Sequence, residues 1–584
     1  MSNNQPLNEF FKVVEDSIFQ VVRALYPTFT ESLNLTPSPN IAHGDLTLPC
    51  FPLAKFFGEK PNEIAVKIHG ALNEHLLQGK VSEVASLQVI GPYLNIFLNR
   101  TALAKSLLNI NVMPHKDSGK PPILIDYSSP NIAKPFHVGH LRTTLIGGAI
   151  YRAFTFSGRR VIGINHLGDW GTQFGFVYAG CKIWGMPEEE SVHALVERYA
   201  KASSARKAQE AGSMEVNDEL PDIGSLARDY FIRLESGDPE ATAFWKWCLD
   251  ISVTYLKRIY TELNVHFDHY TGESFYRDML TGVEEILKKS GILEDSRGSL
   301  GVNLDKDLGF VRIFAEDSRS LYITRDIACA FYRHEQFKPE ASLYVVGAPQ
   351  ILHFKQLKGV LERLNHPSAN EIVHIPFGNV PGMGTRHGNV INLDDFIEEA
   401  TKRALIAYEE EVSKRPAGVD PNLTAKKVAL GAINFYFLKH SNIKDFQFRW
   451  EEALNFQGDS GPYLQYTCSR LYGIERNVTE AYGNLLEEEV VNFDAFLSDE
   501  AHQIVILLSH FETNLKKVLL EYEPYYLANY LLALSKAISR AYRALRVIGE
   551  ERSRGAAHLL LFRKAKDVLR AGMEIVGVPI LERM

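Results

Sequence analysis

Two histidines three residues apart, His137 and His140, stand in the stretch SSPNIAKPFHVGHLR (128–142), with Gly139 between them. Imidazoles can donate hydrogen bonds to phosphate oxygens as charge builds in a transition state. Gly139 carries no side chain, so a base or a phosphate can come close to the backbone. Lys134 adds a fixed cation just ahead of them. The preceding PPILID (121–126) reads as a buried strand and the following LRTTLIGGAIYRAFTF as a helix. The histidines then fall on one face of the first helical turn, at a strand–turn–helix junction of the kind that binds nucleotides. Unpaired N–H groups and the helix dipole favour an anion there. Paired histidines also chelate metals, and Asp169 is the nearest downstream acid that could join them. No cluster of further ligands accompanies them in the sequence, so no metal site is expected.

The elements that must position these residues follow an α/β rhythm. Strand candidates are ILID (123–126), RVIGIN (160–165), LYVVGA (343–348) and EIVHIPFG (371–378), with helical stretches between them. A mostly helical segment at about 180–275 interrupts the rhythm and reads as an insertion. Residues 1–115 read as an α+β unit: EFFKVVEDSIFQVVRAL has helical periodicity, and LQVIGPYLNIFLN suggests two short strands. Residues 116–420 form the nucleotide-binding part, and 421–584 a helical bundle. Its three apolar stripes run over Ile504, Leu508, Phe511, Leu515, Val518; Leu527, Leu531, Leu534, Ile538, Ala541, Leu545; and Leu561, Ala565, Val568, Ile575. Gly577 and Pro579 supply a stop signal.

The totals narrow the class. The chain has 584 residues, 45% hydrophobic and 23% charged, with a net charge of −8. That is a globular composition with room for several domains and no global basic bias. The five scattered cysteines contain no CxxC pair, so neither zinc nor a disulfide framework is expected. The start MSNNQPLNEF lacks the basic and apolar regions of a signal peptide, and no run reaches the length of a membrane span. A cytoplasmic setting with no membrane partner is the expectation.

The stretch SSPNIAKPFHVGHLRTTLIG resembles the HIGH-motif region of class I aminoacyl-tRNA synthetases, specifically of the arginyl-tRNA synthetase family. Further segments of that family resemble NHLGDWGTQFG (165–175), LYITRDIACA (321–330), NFQGDSGPYLQYTCSRL (455–471) and the C-terminal GVPILERM, in consistent order. HGDLTLPCFPLAK (43–55) is similar to part of the family's N-terminal domain, which touches the tRNA elbow. The resemblance implies a Rossmann-type catalytic domain with a helical insertion, an N-terminal α+β domain and a C-terminal all-α bundle that binds the anticodon. It implies activation of L-arginine by ATP with Mg²⁺, then transfer to tRNA(Arg), by a monomer. His137, Gly139 and His140 would hold ATP, with His137, His140 and Lys134 serving the chemistry. Tyr322 and Asp326, four residues apart, would grip the guanidinium; Asn131, Gln350 and Asp126 would surround the amino and carboxyl ends. The stretch VPGMGTRHGNV (380–390) matches the ATP-bracing loop, with Met383, Gly384 and Arg386 as contacts. Relatives often carry a loop more like MSTRKG; here Gly384 and His387 depart from it, and Lys134 would take over the missing lysine's charge.

Bland roles stand beside these. Asn131 suits a turn, Asp326 a helix cap and Asp126 local N–H groups. Between Lys536 and Arg570, Lys and Arg far outnumber the acids Glu550, Glu551 and Asp567. Lys536, Arg540 and Arg543 share a helix face opposite the apolar stripe, which suits either tRNA phosphates or a solvated surface. Tyr525, Tyr526, Tyr530 and Tyr542 add stacking or core surface. A small-molecule nucleotidyltransferase also uses HxGH, but needs no such bundle. A non-catalytic RNA-binding relative should have lost parts of the ATP site.

Overall fold

A computed structural model describes the chain except residues 1–4, 39–40, 107–111, 133–135, 218–219, 297, 305–306, 315–321, 382–391, 412–417 and 484–488. At its centre is a five-stranded parallel sheet of β1 (Ile123–Asp126), β2 (Val161–Asn165), β3 (His269–Tyr270), β4 (Ala341–Gly347) and β5 (Ile372–Phe377). The order is β5-β4-β1-β2-β3. Four of these strands coincide with the apolar runs in the sequence; β3 is only two residues long and leaves no periodic trace. Every residue of β1 is buried, as expected where both sheet faces are covered. Strand order reverses between β1 and β4, which opens a crevice at their C-terminal ends.

LRTTLIGGAIYRAFTF forms the helix α1 (Leu141–Phe156), which is buried almost all round. It lies between the sheet and the C-terminal helices. A Cβ on Gly147 would collide with the Tyr127 ring, so glycine there permits close helix–strand packing. At its far end Arg152 donates to Ile575 O at 2.8 Å and to Asn264 O at 2.7 Å. α2 (Tyr322–Phe337) precedes β4, and α3 (Ile351–Arg363) follows it.

Four helices fill the span between β2 and β3: Gln173–Trp184, Val192–Glu210, Ile223–Glu235 and Pro239–Glu262. Ser191, Asp222 and Asp238 cap the last three with side-chain hydrogen bonds. A three-stranded antiparallel sheet, Leu293–Ser296, Ser299–Asn303 and Phe310–Arg312, precedes α2. Its short strands escaped the sequence reading. Near the N-terminus a four-stranded antiparallel sheet packs on the helix Pro61–Leu77, which packs in turn on Gln5–Leu25. Its Val84–Ile90 and Tyr93–Leu98 hairpin matches LQVIGPYLNIFLN.

Beyond Phe377 the described residues contain no further named strand. The stripe from Ile504 to Val518 is not one helix. It is two, Asp499–Ser509 and Phe511–Glu521, broken at His510. Both pack on Tyr525–Ala544, so the apolar period survives a break that redirects the chain. Leu545 lies just past that helix, in extended backbone. The last helix, Arg552–Ile575, ends as expected before Gly577, whose φ of 73° suits glycine. Among the described residues no helix is long and apolar enough to cross a membrane.

Candidate active site

The chain leaves β1 through a strained turn. Ser128 and Ser129 both take left-handed backbone, φ 69° and 46°, which costs free energy outside glycine. A polar web holds it. Thr143 Oγ1 accepts from Ser128 N at 3.1 Å, and Ser128 Oγ lies 2.8 Å from the Tyr260 hydroxyl and 2.9 Å from Thr144 Oγ1. Asn131 follows, bridged to Gly168 of the NHLGDWG segment. A Cβ on Gly168 would collide with Asn131 Oδ1, so this glycine makes room for the asparagine.

His137 and His140 sit on a 3-10 turn, Val138–His140, one step before α1 rather than inside it. His137 Nδ1 accepts from Gly139 N at 3.1 Å, and His140 Nδ1 accepts from His137 N at 3.2 Å. Each ring therefore uses Nδ1 as an acceptor, and when neutral it carries its proton on Nε2. The rings stack with centroids 3.9 Å apart, and His140 also stacks on Phe136 at 5.0 Å. Burial lowers both pKa values, that of His140 to about 3. Both are neutral Nε2–H donors at physiological pH. A Cβ on Gly139 would come 2.8 Å from the His137 ring. The room that this glycine makes is thus taken first by a histidine rather than by a ligand.

The second cluster lies at the start of α2. Tyr322 opens this helix and Asp326 stands one turn further along the same face, and Tyr322 is 62% exposed. Asp326 is one turn inside the helix, so it does not cap it. Asp326 Oδ2 lies 2.7 Å from His353 Nε2 on α3, and this contact raises the His353 pKa. Glu273, after β3, binds Arg325 Nη1 through Oε2 at 2.6 Å. Burial, with Asp169 and Asp326 nearby, raises the Glu273 pKa against the pull of Arg325. The result is a patch of carboxylates balanced by an internal imidazole and an internal guanidinium. Gln350 is exposed at the head of α3, one turn before His353.

Asp126 ends β1, 6% exposed. Its Oδ2 accepts from Arg333 at 2.6 Å and its Oδ1 from Ser129 at 2.8 Å. Asp169 is committed as well: both its oxygens accept from Ser274, at 2.8 and 2.6 Å. It therefore holds the 272–274 turn and is not disposed toward the histidines. Among the described residues no group of three or more His, Cys, Asp or Glu is arranged around a metal position.

Glu273, His353, Arg325, Arg333 and His166 escaped the sequence reading. His166 stacks on Tyr276, and its buried Nδ1 has no hydrogen-bond partner among the described residues. Only His353 left a usable signal, its spacing of three from Gln350 on a helix.

Three family matches cover nearly the whole chain. Residues 102–450 match the class I tRNA synthetase (R) catalytic domain, 464–584 the DALR anticodon binding domain, and 12–98 the arginyl tRNA synthetase N-terminal domain. An arginine–tRNA ligase from Clostridium botulinum is 36% identical over 94% of this chain and 95% of its own length. One from Clostridium perfringens is 35% identical over 99% and 100%. The chain belongs to the arginyl-tRNA synthetase family. Its activity is that of an arginine–tRNA ligase, which charges tRNA(Arg) with arginine. The fold agrees with that of the Thermus thermophilus arginyl-tRNA synthetase, at a TM-score of 0.80 and 23% identity over 98% of this chain and 100% of that one. The Plasmodium falciparum enzyme gives 0.78 at 22% identity, over 98% and 99%.

For an arginyl-tRNA synthetase two more regions matter. Of the ATP-loop residues named above, Met383, Gly384 and Arg386, with His387, lie outside the described residues, as does Lys134. The residues after that loop are placed beside the histidines: Asn392 bridges His137, and Leu393 N donates to Phe136 O at 3.0 Å. On the bundle, Lys536, Arg540 and Arg543 are all exposed. The face is not a bare cationic stripe, since Lys536 pairs with Asp459 at 2.7 Å and Arg540 donates to Gln503 at 2.7 Å. Tyr530 is core, its hydroxyl donating to Leu507 O, whereas Tyr542 is exposed and stacked under Arg470.

Proposed function

We propose that the HVGH turn holds ATP and that the acids at the head of α2 hold arginine. The observation that carries this is the pairing of Asp326 and Glu273 with internal cations. A site that already balances a guanidinium on a carboxylate is chemically suited to a substrate guanidinium. Tyr322 closes over it, and Asn131 and Gln350 take the amino and carboxyl ends. Asp126 keeps a lone pair on each oxygen for the ammonium while Arg333 fixes its position.

In the first step an arginine carboxylate oxygen attacks the α-phosphorus of ATP and pyrophosphate leaves. His137 and His140 donate Nε2–H to phosphate oxygens as negative charge builds. Lys134 and Arg386 supply fixed positive charge, Met383 and Gly384 contact the nucleotide, and Gly139 lets the His137 ring fold back onto its own turn, which sets that ring for ATP. In the second step the terminal ribose hydroxyl of tRNA(Arg) attacks the activated carbonyl and AMP leaves. Mg²⁺ would enter as part of the ATP substrate and would supply charge neutralisation at the phosphates. The carboxylates at this sheet edge are engaged, Asp126 by Arg333 and Asp169 by Ser274. That suits an ion held by phosphates and water rather than by a protein cage.

Lys536, Arg540 and Arg543 contact the tRNA backbone, and residues 1–115 reach its elbow. The proposed division is 1–115, 116–420 with the insertion at about 180–275, and 421–584. Five buried thiols outside any disulfide suit a reducing cytoplasm. The proposal takes the acting species to be a monomer.

The test is pyrophosphate exchange with arginine against its neutral ureido analogue citrulline. Wild type should reject citrulline, and Asp326→Asn and Glu273→Gln should each narrow the preference. Unchanged discrimination in both variants would overturn the pocket.

A further inference from the structure

The residue that ends HVGHLR does not face the substrate side. The Arg142 guanidinium is 1% exposed and donates to four backbone carbonyls. Its Nη1 reaches Asn379 O at 3.2 Å; its Nη2 reaches Ser441 O at 3.1 Å and Asn442 O and Lys444 O at 2.6 Å. The Phe446 ring lies 4.8 Å from it. Burial lowers its pKa to about 10, against Asp445 and Glu523, so it stays charged.

Gly378 and Asn379 are the residues through which β5 enters the 380–390 loop. Gly378 N donates to Asn442 O at 2.9 Å, and Asn379 N to Asp445 Oδ1 at 2.6 Å. A Cβ on Gly378 would collide with Asp445 Oδ1. The loop entrance therefore rests on the 441–445 turn, with Arg142 pinning both.

The other face of that turn belongs to the bundle. Ser441 Oγ and Asn442 N donate to the two Glu523 oxygens at 3.1 and 2.9 Å, and Asn442 Nδ2 donates to Tyr522 O at 2.8 Å. Tyr522 and Glu523, with Pro524, form the link between Phe511–Glu521 and Tyr525–Ala544, the helix that carries the Lys536 ridge. One turn is thus gripped by the ATP-side helix and by the bundle at once.

We propose that Arg142, the 441–445 turn and Glu523 form a positioning device through which the anticodon-binding bundle sets the entrance of the ATP loop. It rests on reading 380–390 as that loop. A buried cation whose two terminal nitrogens are shared among four carbonyls resists displacement, because any slide of the turn loses several charge-assisted hydrogen bonds together. Displacement at Glu523 is therefore passed to Asn379 rather than absorbed.

The test uses the full-length enzyme in pyrophosphate exchange with tRNA present. The variants are Glu523→Ala, Glu523→Gln, Arg142→Lys and Arg386→Ala, each with its thermal midpoint. Glu523→Ala should raise the ATP KM roughly fivefold, leave the arginine KM and the midpoint nearly unchanged, and be partly rescued by Gln. Arg142→Lys should raise the ATP KM in the same way, again without a rise in the arginine KM, but with a lowered midpoint because it leaves buried carbonyls unpaired. The double variant should fall short of the product of the two KM effects. Arg386→Ala should raise the ATP KM directly. If Arg386→Ala does so and Glu523→Ala does not, the coupling is wrong and the loop reading stands. If Arg386→Ala leaves the ATP KM unchanged, the loop reading and the device fall together. Parallel rises in both KM values with a lowered midpoint, or fully multiplicative effects in the double variant, would also overturn it.

Discussion

At the HVGH turn each imidazole is held by backbone within three residues, whereas at the head of α2 each carboxylate is held by a side chain from another element. His137 and His140 use Gly139 N and His137 N. Asp326 uses His353, 27 positions away, and Glu273 uses Arg325, 52 away. The first pair is neutral and stacked; the second is charged and cross-paired. The contrast follows the ligands proposed for them. Charge on a phosphorane is transient, so preset neutral donors meet it without reorganising. A guanidinium is a permanent cation, so it needs permanent anions, and anions at a half-buried site are costly unless paired. Internal cations hold that pairing until the substrate replaces them.

The largest effect should come from the neutral half. His140→Ala should slow pyrophosphate exchange roughly 10²- to 10³-fold and leave tRNA binding intact in a filter assay. Equal loss of both would mean that the turn had unfolded. Next, Asp326→Ala should raise the arginine KM roughly thirtyfold with little change for ATP, as expected for a lost charge pair. An unchanged arginine KM would erase the distinction between the halves.

A pH titration sharpens the contrast further. The His353 pKa is raised by Asp326, so imidazolium persists to higher pH and competes with the substrate cation. Binding of arginine expels that proton. The arginine KM should therefore rise several-fold as pH falls from about 8 to about 5.5, and His353→Gln should flatten the profile. The ATP KM should show no step from His140 in that window, since burial lowers its pKa to about 3. A shared pH step in both KM values that survives in His353→Gln would break the comparison. The smallest effect is on the bundle. Lys536→Ala should weaken tRNA binding about threefold and lower the salt slope by about one at most, with exchange unaltered; an unchanged slope removes this lysine from the interface.

How far each half could be read from sequence follows from the same contrast. The HVGH turn is a local object: capping, a glycine and the helix start lie within a few residues, and α1 spans the same stretch that the apolar pattern marks. Glu273 and His353 carry no local mark, because an ion pair across 52 or 27 positions depends on how the sheet brings its loops together. Asp126 shows the limit from the other side. Its place at a strand end was plain, but its engagement by Arg333 on α2 was not. The break at His510 was invisible because both halves of that stripe bury into one bundle.

By itself the sequence determined the parallel α/β centre, the helical C-terminal part, the family, and the strand–turn–helix junction that carries the two histidines. Periodicity, capping and ordered motifs are written over short spans of chain. Only the tertiary structure decided which charges meet: Arg325 with Glu273, His353 with Asp326, Arg333 with Asp126, and Arg142 with four carbonyls from two distant segments. The reason is physical. Burying a charge requires a partner at hydrogen-bond distance, and that distance is set by the packing of whole elements rather than by spacing along the chain.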